Sequence, residues 1–228
     1  MDKNLIIAHR GIFNNTTIPE NSIKAFKKAV KLGYAIELDL EMTKDNVLIV
    51  FHDSNLKRMT CIDKYVKDVT YNEIKNVYLL NTKETIPTLE DVLKIVDNKV
   101  LLNIEIKKDI RYKTIIDNLS KLLNKYNSYS IIQSFDYKAI YYINKHYNNY
   151  KKGILISDKS KKNNLYQKIM FKLCNIDFIS ISKSLINSKK YQKYYNKYSI
   201  LIWTFKSSEE LNKYKNKYYG YICDNLPY

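Results

Sequence analysis

At 228 residues the chain can bury one large core, and single α/β barrels occupy this range, so its length requires no second domain. A formal charge of +16 invites a nucleic-acid or membrane partner, but the excess is lysine rather than arginine, the better bidentate reader of phosphate and guanine. Lys, Asn, Ile and Tyr all have AT-rich codons, so a biased genome yields this composition without any partner, and the charge reads as a solvated basic surface that helps attract anions.

In chain order, LIIAHRG at 5–11 reads as a buried strand ending in a glycine turn, which leaves His9 and Arg10 at the strand's C-terminal edge. ENSIKAFKKAVKLG places Ile23, Phe26, Ala29 and Val30 at helical spacing, with Gly33 just past the end. AIELDLEM alternates as a strand. VLIVFHD at 47–53 follows after only TKDN, too few residues for a parallel crossover, so the two runs are expected to form an antiparallel hairpin turning at Asn46. Residues 55–84 carry no clear strand and read as a small loop and helix excursion over the site. PTLEDVLKIVDN is predicted helical with Thr88 as its cap, and it feeds the strand VLLNIEIK. From there strands and helices take turns: IIQSF, DYKAIYYINKHY, GILIS, NLYQKIMFKL, DFISIS, SLINSKKYQKYYNKY, ILIWTF, SSEELNKYKNKY and GYICD. Without the hairpin arm eight parallel strands remain, the number of a (β/α)8 barrel, expected here as one domain over 1–228. An open doubly wound sheet is the rival, because periodicity does not report closure.

Cys61, Cys174 and Cys223 are odd in number, far apart and outside metal-binding spacings, which argues against a disulfide framework and a zinc site. The apolar run near the N-terminus is too short for a signal-peptide core, and no stretch approaches a spanning helix. A soluble cytoplasmic protein is expected.

In a parallel barrel the site lies at the C-terminal strand ends, so the polar residues there matter most. Glu37 and Asp39 lie two apart on one face of a strand, and two carboxylates side by side repel unless they share a cation or one takes up a proton. Glu105 and Lys107 repeat the pattern on IEIK. Three carboxylates with no cysteine and few histidines point to Mg²⁺ or Ca²⁺ rather than Zn²⁺. Pairing about the 44–46 turn returns His52 opposite Leu38, between the two acids. His9 and His52 therefore both reach the barrel mouth, where Arg10 and Lys107 can hold an anion, a set suited to acid/base work on a phosphoryl group. His146, in KHYNN at a polar helix end, reads as a bystander.

The chain resembles the glycerophosphodiester phosphodiesterase family through AHRG at 8–11, PENSIKAF at 19–26, IELDLEMTKDN at 36–46, FHDSNLKRMT at 51–60, IPTLEDVL at 86–93, IEIK at 104–107, WTF at 203–205 and CDNLP at 223–227. The motifs run in the family's order and span almost the whole chain. The resemblance implies a (β/α)8 barrel, one divalent cation (Mg²⁺ or Ca²⁺), and hydrolysis of a small glycerophosphodiester to glycerol 3-phosphate and an alcohol through a cyclic phosphate. It implies Glu37, Asp39 and Glu105 as metal ligands, His9 and His52 as the acid/base pair (His9 assigned base, His52 acid), Arg10 and Lys107 as phosphate contacts and Trp203 as a substrate contact. Selection among head groups is expected from the 55–84 excursion.

Two other readings stand beside this one. A phospholipase D-like enzyme acting on lysophospholipids or sphingolipids would use the basic face against a membrane, although no amphipathic helix with an aromatic insertion face is evident. A Lys- and Tyr-rich nucleic-acid-binding protein without catalysis is disfavoured, because inward carboxylates repel phosphate unless a cation lies between.

Overall fold

The structure is a computed structural model that describes residues 4–158, 164–224 and 226; Asn225 and Pro227 of the CDNLP motif lie outside the described residues. Among the described residues nine strands form one sheet: β1 (Leu5–His9), β2 (Ala35–Met42), β3 (Leu48–Val50), β4 (Leu102–Ile106), β5 (Ser130–Ser134), β6 (Lys151–Ile156), β7 (Phe178–Ser182), β8 (Ser199–Phe205) and β9 (Gly220–Cys223). The order is β1-β9-β8-β7-β6-β5-β4-β2-β3, and β1 also pairs with β2, so eight parallel strands close on themselves. This is a TIM barrel, and the open-sheet alternative is excluded by the β1–β2 pairing. The ninth strand, β3, is the antiparallel hairpin arm on β2, with Leu40 opposite Val50, and Asn46 turns the hairpin at a φ of 64°. The pairing continues through the Phe51 N–H to the Asp39 carbonyl at 2.9 Å, which carries His52 to the position opposite Leu38.

The helices between strands form for local reasons. In α1 (Ile23–Lys31) the Ser22 side chain accepts from the Ala25 N–H, Ala25, Phe26 and Ala29 face the sheet, and Gly33 at a φ of 72° lets the chain leave. The excursion holds two single-turn helices, α2 (Lys57–Thr60) and α3 (Tyr71–Ile74), over its own apolar cluster of Leu56, Met59, Val66, Val69, Ile74 and Leu79. In α4 (Leu89–Val96) Thr88 and Asp91 cap each other reciprocally. The 14-residue α5 (Tyr112–Lys125) fills the stretch between IEIK and IIQSF, which no motif marks. α6 (Tyr137–His146) and α7 (Asn164–Cys174) follow as expected. The two tyrosine-rich runs differ from expectation: SLINSKKYQKYYNKY yields only a 3-10 turn and α8 (Lys189–Gln192), and SSEELNKYKNKY only α9 (Ser208–Asn212). Both runs are dense in Lys, Tyr and Asn and offer few aliphatic positions with which to bury a longer face. Among the described residues no helix is long and apolar enough to cross a membrane.

Inside the barrel the period-two alternation of strands sets up layers. Ile7, Ala35, Leu101, Ile131, Phe178, Leu201 and Ile222 pack together as the floor. Gly153 leaves room for the Phe178 ring, since a Cβ there would come within 2.2 Å of it. Two residues further along the strands the inward positions are His9, Glu37, Asn103, Gln133, Ser180, Trp203 and Asp224, and two further again Asp39 and Glu105. The polar layer therefore sits directly on an apolar floor.

Candidate active site

The turn that ends β1 positions the first side chains. Arg10 has a φ of 56° and Gly11 of 81°, and a Cβ on Gly11 would meet the Ala25 backbone at 2.9 Å, so only glycine lets the turn lie against α1. The bend points the Arg10 N–H at Glu37 Oε2 (3.2 Å) and its guanidinium at Glu20 Oε1 (2.7 Å) and Asp39 Oδ2 (3.3 Å). A left-handed arginine is unfavourable and is found where surrounding contacts enforce it, often at functional sites.

Glu37, Asp39 and Glu105 are buried and each offers a carboxylate oxygen within 4.8 Å of the others. Lys107 bridges two of them, its Nζ 2.6 Å from Asp39 Oδ1 and 2.7 Å from Glu105 Oε1, while Asn21 donates to Asp39 Oδ2 at 2.9 Å. Burial opposes ionisation at Asp39, but Lys107 and Arg10 overcome it and hold the carboxyl well below the usual range. Glu37 receives less help: burial and the charge of Asp39 push it up to about 8. Burial likewise raises Glu105. Like charges are thus packed more closely than the local cations can neutralise. An all-oxygen, acid-rich donor set fits a hard divalent cation, and these three carboxylates could hold one.

Each of the two mouth histidines is held through Nδ1. His9 Nδ1 lies 2.7 Å from Asp224 Oδ1, and His52 Nδ1 lies 2.6 Å from Asp53 Oδ1. A carboxylate at Nδ1 fixes that nitrogen as the donor and leaves Nε2 for chemistry. Burial lowers the pKa of His9, but the Asp224 hydrogen bond and the Glu37 charge outweigh it and the pKa is raised; at His52 burial prevails and the pKa is lowered. Arg58, from α2, ties the two sides together, donating to Asp53 Oδ2 at 2.5 Å and to Glu20 Oε1 at 2.7 Å, so Glu20 is shared between Arg10 and Arg58.

These groups open on a cavity of about 180 Å³ lined by His9, Arg10, Glu37, His52, Glu105 and Lys107, together with Gln133, Phe135 and Trp203. Phe135 and Trp203 meet edge to face at 5.9 Å. Among the described residues the buried Trp203 Nε1 and Gln133 Oε1 have no hydrogen-bond partner, which leaves a donor and an acceptor for a ligand.

The site residues expected from sequence therefore all line this cavity except Asp39, whose buried carboxylate lies within 4.8 Å of those of Glu37 and Glu105. His146 is exposed at the C-terminal end of α6, stacked on Tyr142. Sequence reasoning missed Glu20, Asn21, Asp53, Arg58, Gln133 and Asp224. Asp224 ends the last parallel strand and Asp53 follows a site histidine, so position alone could have flagged both. Nothing local marks Arg58 as reaching Glu20.

Comparison with known proteins agrees with the geometry. The family model described as the glycerophosphoryl diester phosphodiesterase family matches residues 9–217. The chain belongs to this family. A glycerophosphodiester phosphodiesterase of Caldanaerobacter subterraneus subsp. tengcongensis is 41% identical over 67% of this chain and 67% of its own length. An uncharacterised Mycoplasma genitalium protein is 28% identical over 100% of this chain and 94% of its own. Among solved structures, an Oleispira antarctica phosphodiesterase in complex with the product sn-glycerol-3-phosphate superposes with a TM-score of 0.84 at 21% identity, covering 97% of this chain and 93% of that one. The Thermotoga maritima glycerophosphodiester phosphodiesterase gives 0.80 at 24% identity, covering 98% and 96%. As a member of this family the chain is a phosphoric diester hydrolase.

Proposed function

We propose that the chain hydrolyses small glycerophosphodiesters to glycerol 3-phosphate and an alcohol, with Glu37, Asp39 and Glu105 holding one Mg²⁺ or Ca²⁺ and with His9 and His52 moving the protons. One observation carries this reading: two histidines, each fixed by a carboxylate at Nδ1, open on one cavity beside three buried carboxylates.

Arg10 and Lys107 orient the phosphate by charge and hydrogen bonding. One histidine Nε2 takes the proton of a glycerol hydroxyl as that oxygen attacks phosphorus, and the other gives a proton to the departing alkoxide. The product of this step is a cyclic phosphate. Water then opens the ring with the histidine roles exchanged. The tethered hydroxyl gains from proximity, because attack within one molecule avoids the cost of bringing two together. A cation bound by the three carboxylates supplies neutralisation of phosphoryl charge. Trp203 and Gln133 can meet the glycerol hydroxyls, and Phe135 closes the apolar side.

The test is to incubate the pure protein and Mg²⁺ or Ca²⁺ with glycerophosphocholine, glycerophosphoethanolamine, glycerophosphoglycerol and lysophosphatidylcholine, following glycerol 3-phosphate from the deacylated diesters and choline from lysophosphatidylcholine. Release from a deacylated diester supports the proposal. Turnover of lysophosphatidylcholine alone would assign the chain to the phospholipase D-like reading.

A further inference from the structure

The net charge is not spread over the barrel. Residues 115–228 hold 20 of the 39 basic side chains but only 7 of the 23 acidic ones. The 17 of these basic residues that the structure describes run from α5 to β9, consecutive around the sheet, against the same 7 acids, so among the described residues the excess lies on that side of the barrel. Codon bias explains abundant lysine but gives no reason for carboxylates to be depleted on one side. None of those 20 basic residues is arginine.

Within this flank α7 carries two faces. Phe171 and Cys174 point inward and are buried, whereas Lys168, Ile169, Lys172 and Leu173, one turn apart in pairs, share the opposite face. Ile169 is 47% and Leu173 48% exposed, and Tyr141 on the adjoining α6 is 41% exposed. α6 is fastened beside α7 by Asn144 donating to the Leu173 carbonyl at 3.2 Å. On the other side of α7 a groove of about 650 Å³ is lined by Lys168, Lys172, Lys197, Tyr194 and Tyr198. Lys193 and Lys197 lie over the rings of Tyr194 and Tyr198, at 5.1 and 5.2 Å. The acid at this groove, Asp177, is answered from within by the Lys152 backbone N–H at 2.9 Å and by Lys152 Nζ at 3.7 Å.

We propose that this flank, centred on the outer face of α7, docks on a bilayer containing anionic phospholipid. Exposed aliphatic side chains flanked by lysines, with tyrosines alongside, match the two demands of a lipid interface: apolar groups for the acyl boundary and cations for the headgroups. A nucleic-acid surface would use arginine and would have no use for exposed Ile169 and Leu173. The proposal is independent of which diester the site cleaves.

Co-sedimentation with vesicles of phosphatidylcholine alone, and of phosphatidylcholine with phosphatidylglycerol, tests it. The protein is expected to partition onto the second at low salt and to be released at high salt. The Lys168→Glu/Lys172→Glu double variant should bind at least roughly 25-fold more weakly, at about five-fold per lysine lost. Ile169→Ser/Leu173→Ser should also weaken binding, and both variants should keep the wild-type circular dichroism spectrum and the wild-type hydrolysis of a water-soluble diester. Failure of the wild type to bind phosphatidylglycerol vesicles overturns the proposal, whatever the variants do. So does unchanged binding by folded variants, or tighter binding to an RNA oligonucleotide than to the vesicles.

Discussion

Asp224 and His9 stand 215 residues apart in the chain and 2.7 Å apart in space. Parallel pairing of β1 with β9 brings them together, matching Ala8 with Cys223, so the step that closes the barrel also completes the His9 couple. The hairpin builds its counterpart locally, because Asp53 follows His52 directly.

If the two aspartates orient the histidines, Asp224→Ala and Asp53→Ala should each lower kcat on a glycerophosphodiester by about 10- to 100-fold, the range for outer-shell partners of functional histidines. KM should change little, since neither carboxylate is among the groups lining the cavity. Steady-state kinetics beside a thermal melt checks this. Wild-type kcat in both variants would remove the aspartates from the mechanism.

The cation assignment predicts that activity disappears after stripping with a chelator and returns with Mg²⁺ or Ca²⁺. Glu37→Gln, Asp39→Asn and Glu105→Gln should each weaken cation binding measured by calorimetry by at least about 10-fold, because each replaces an anionic ligand oxygen with a neutral one. His146→Ala, on the exposed end of α6, should leave both binding and turnover unchanged. Full activity in excess chelator would contradict the three-carboxylate site.

Much of this was legible in the sequence because it depends on period-two alternation and strand ends. Glu37 and Asp39, or Glu105 and Lys107, share an inward face whatever the rest of the chain does. The β2–β3 register followed from a connection too short for any other topology. What stayed hidden depends on tertiary closure or on side-chain reach. Asp224 could be matched to His9 only once the barrel was known to close, and Arg58 reaches Glu20 from an excursion whose path local pattern does not set. The two tyrosine-rich runs misled in the opposite direction, since helical spacing without enough apolar side chains to bury does not sustain a full helix.

Glu20 gives a prediction about stability. Burial alone would raise its carboxyl, but hydrogen bonds from Arg58 and the charge of Arg10 bring it down from 4.5 to about 2. A depressed folded-state pKa contributes stability that is present above the unfolded value and is lost as pH falls through the folded one. The shift corresponds to about 3 kcal/mol at neutral pH, at roughly 1.4 kcal/mol per unit. Glu20→Gln should therefore be less stable than wild type by up to that order above about pH 5, and the gap should close toward about pH 2. Urea unfolding of both proteins across this range measures it. A pH-independent gap would show that packing, not charge, holds Glu20 in place.

The order in which the histidines act is the sharpest remaining expectation. The sequence reading made His9 the base and His52 the acid, and the charges around them favour the reverse. The Asp224 hydrogen bond favours protonated His9, while burial lowers the pKa of His52 and favours its neutral, accepting form. A cation among the three carboxylates would leave both the Asp224 and the Asp53 hydrogen bonds in place, so the burial that lowers the pKa of His52 still favours that residue as the acceptor. With glycerophosphocholine both His9→Ala and His52→Ala should lose about 100-fold or more in kcat, the scale of general acid/base groups. A p-nitrophenyl diester of glycerol needs no proton on its leaving group. With that substrate His9→Ala should recover most of its rate and His52→Ala should not, because the base is still needed to activate the attacking hydroxyl. Rescue of His52→Ala instead would restore His9 as the base, and rescue of neither would mean that leaving-group protonation does not limit the reaction.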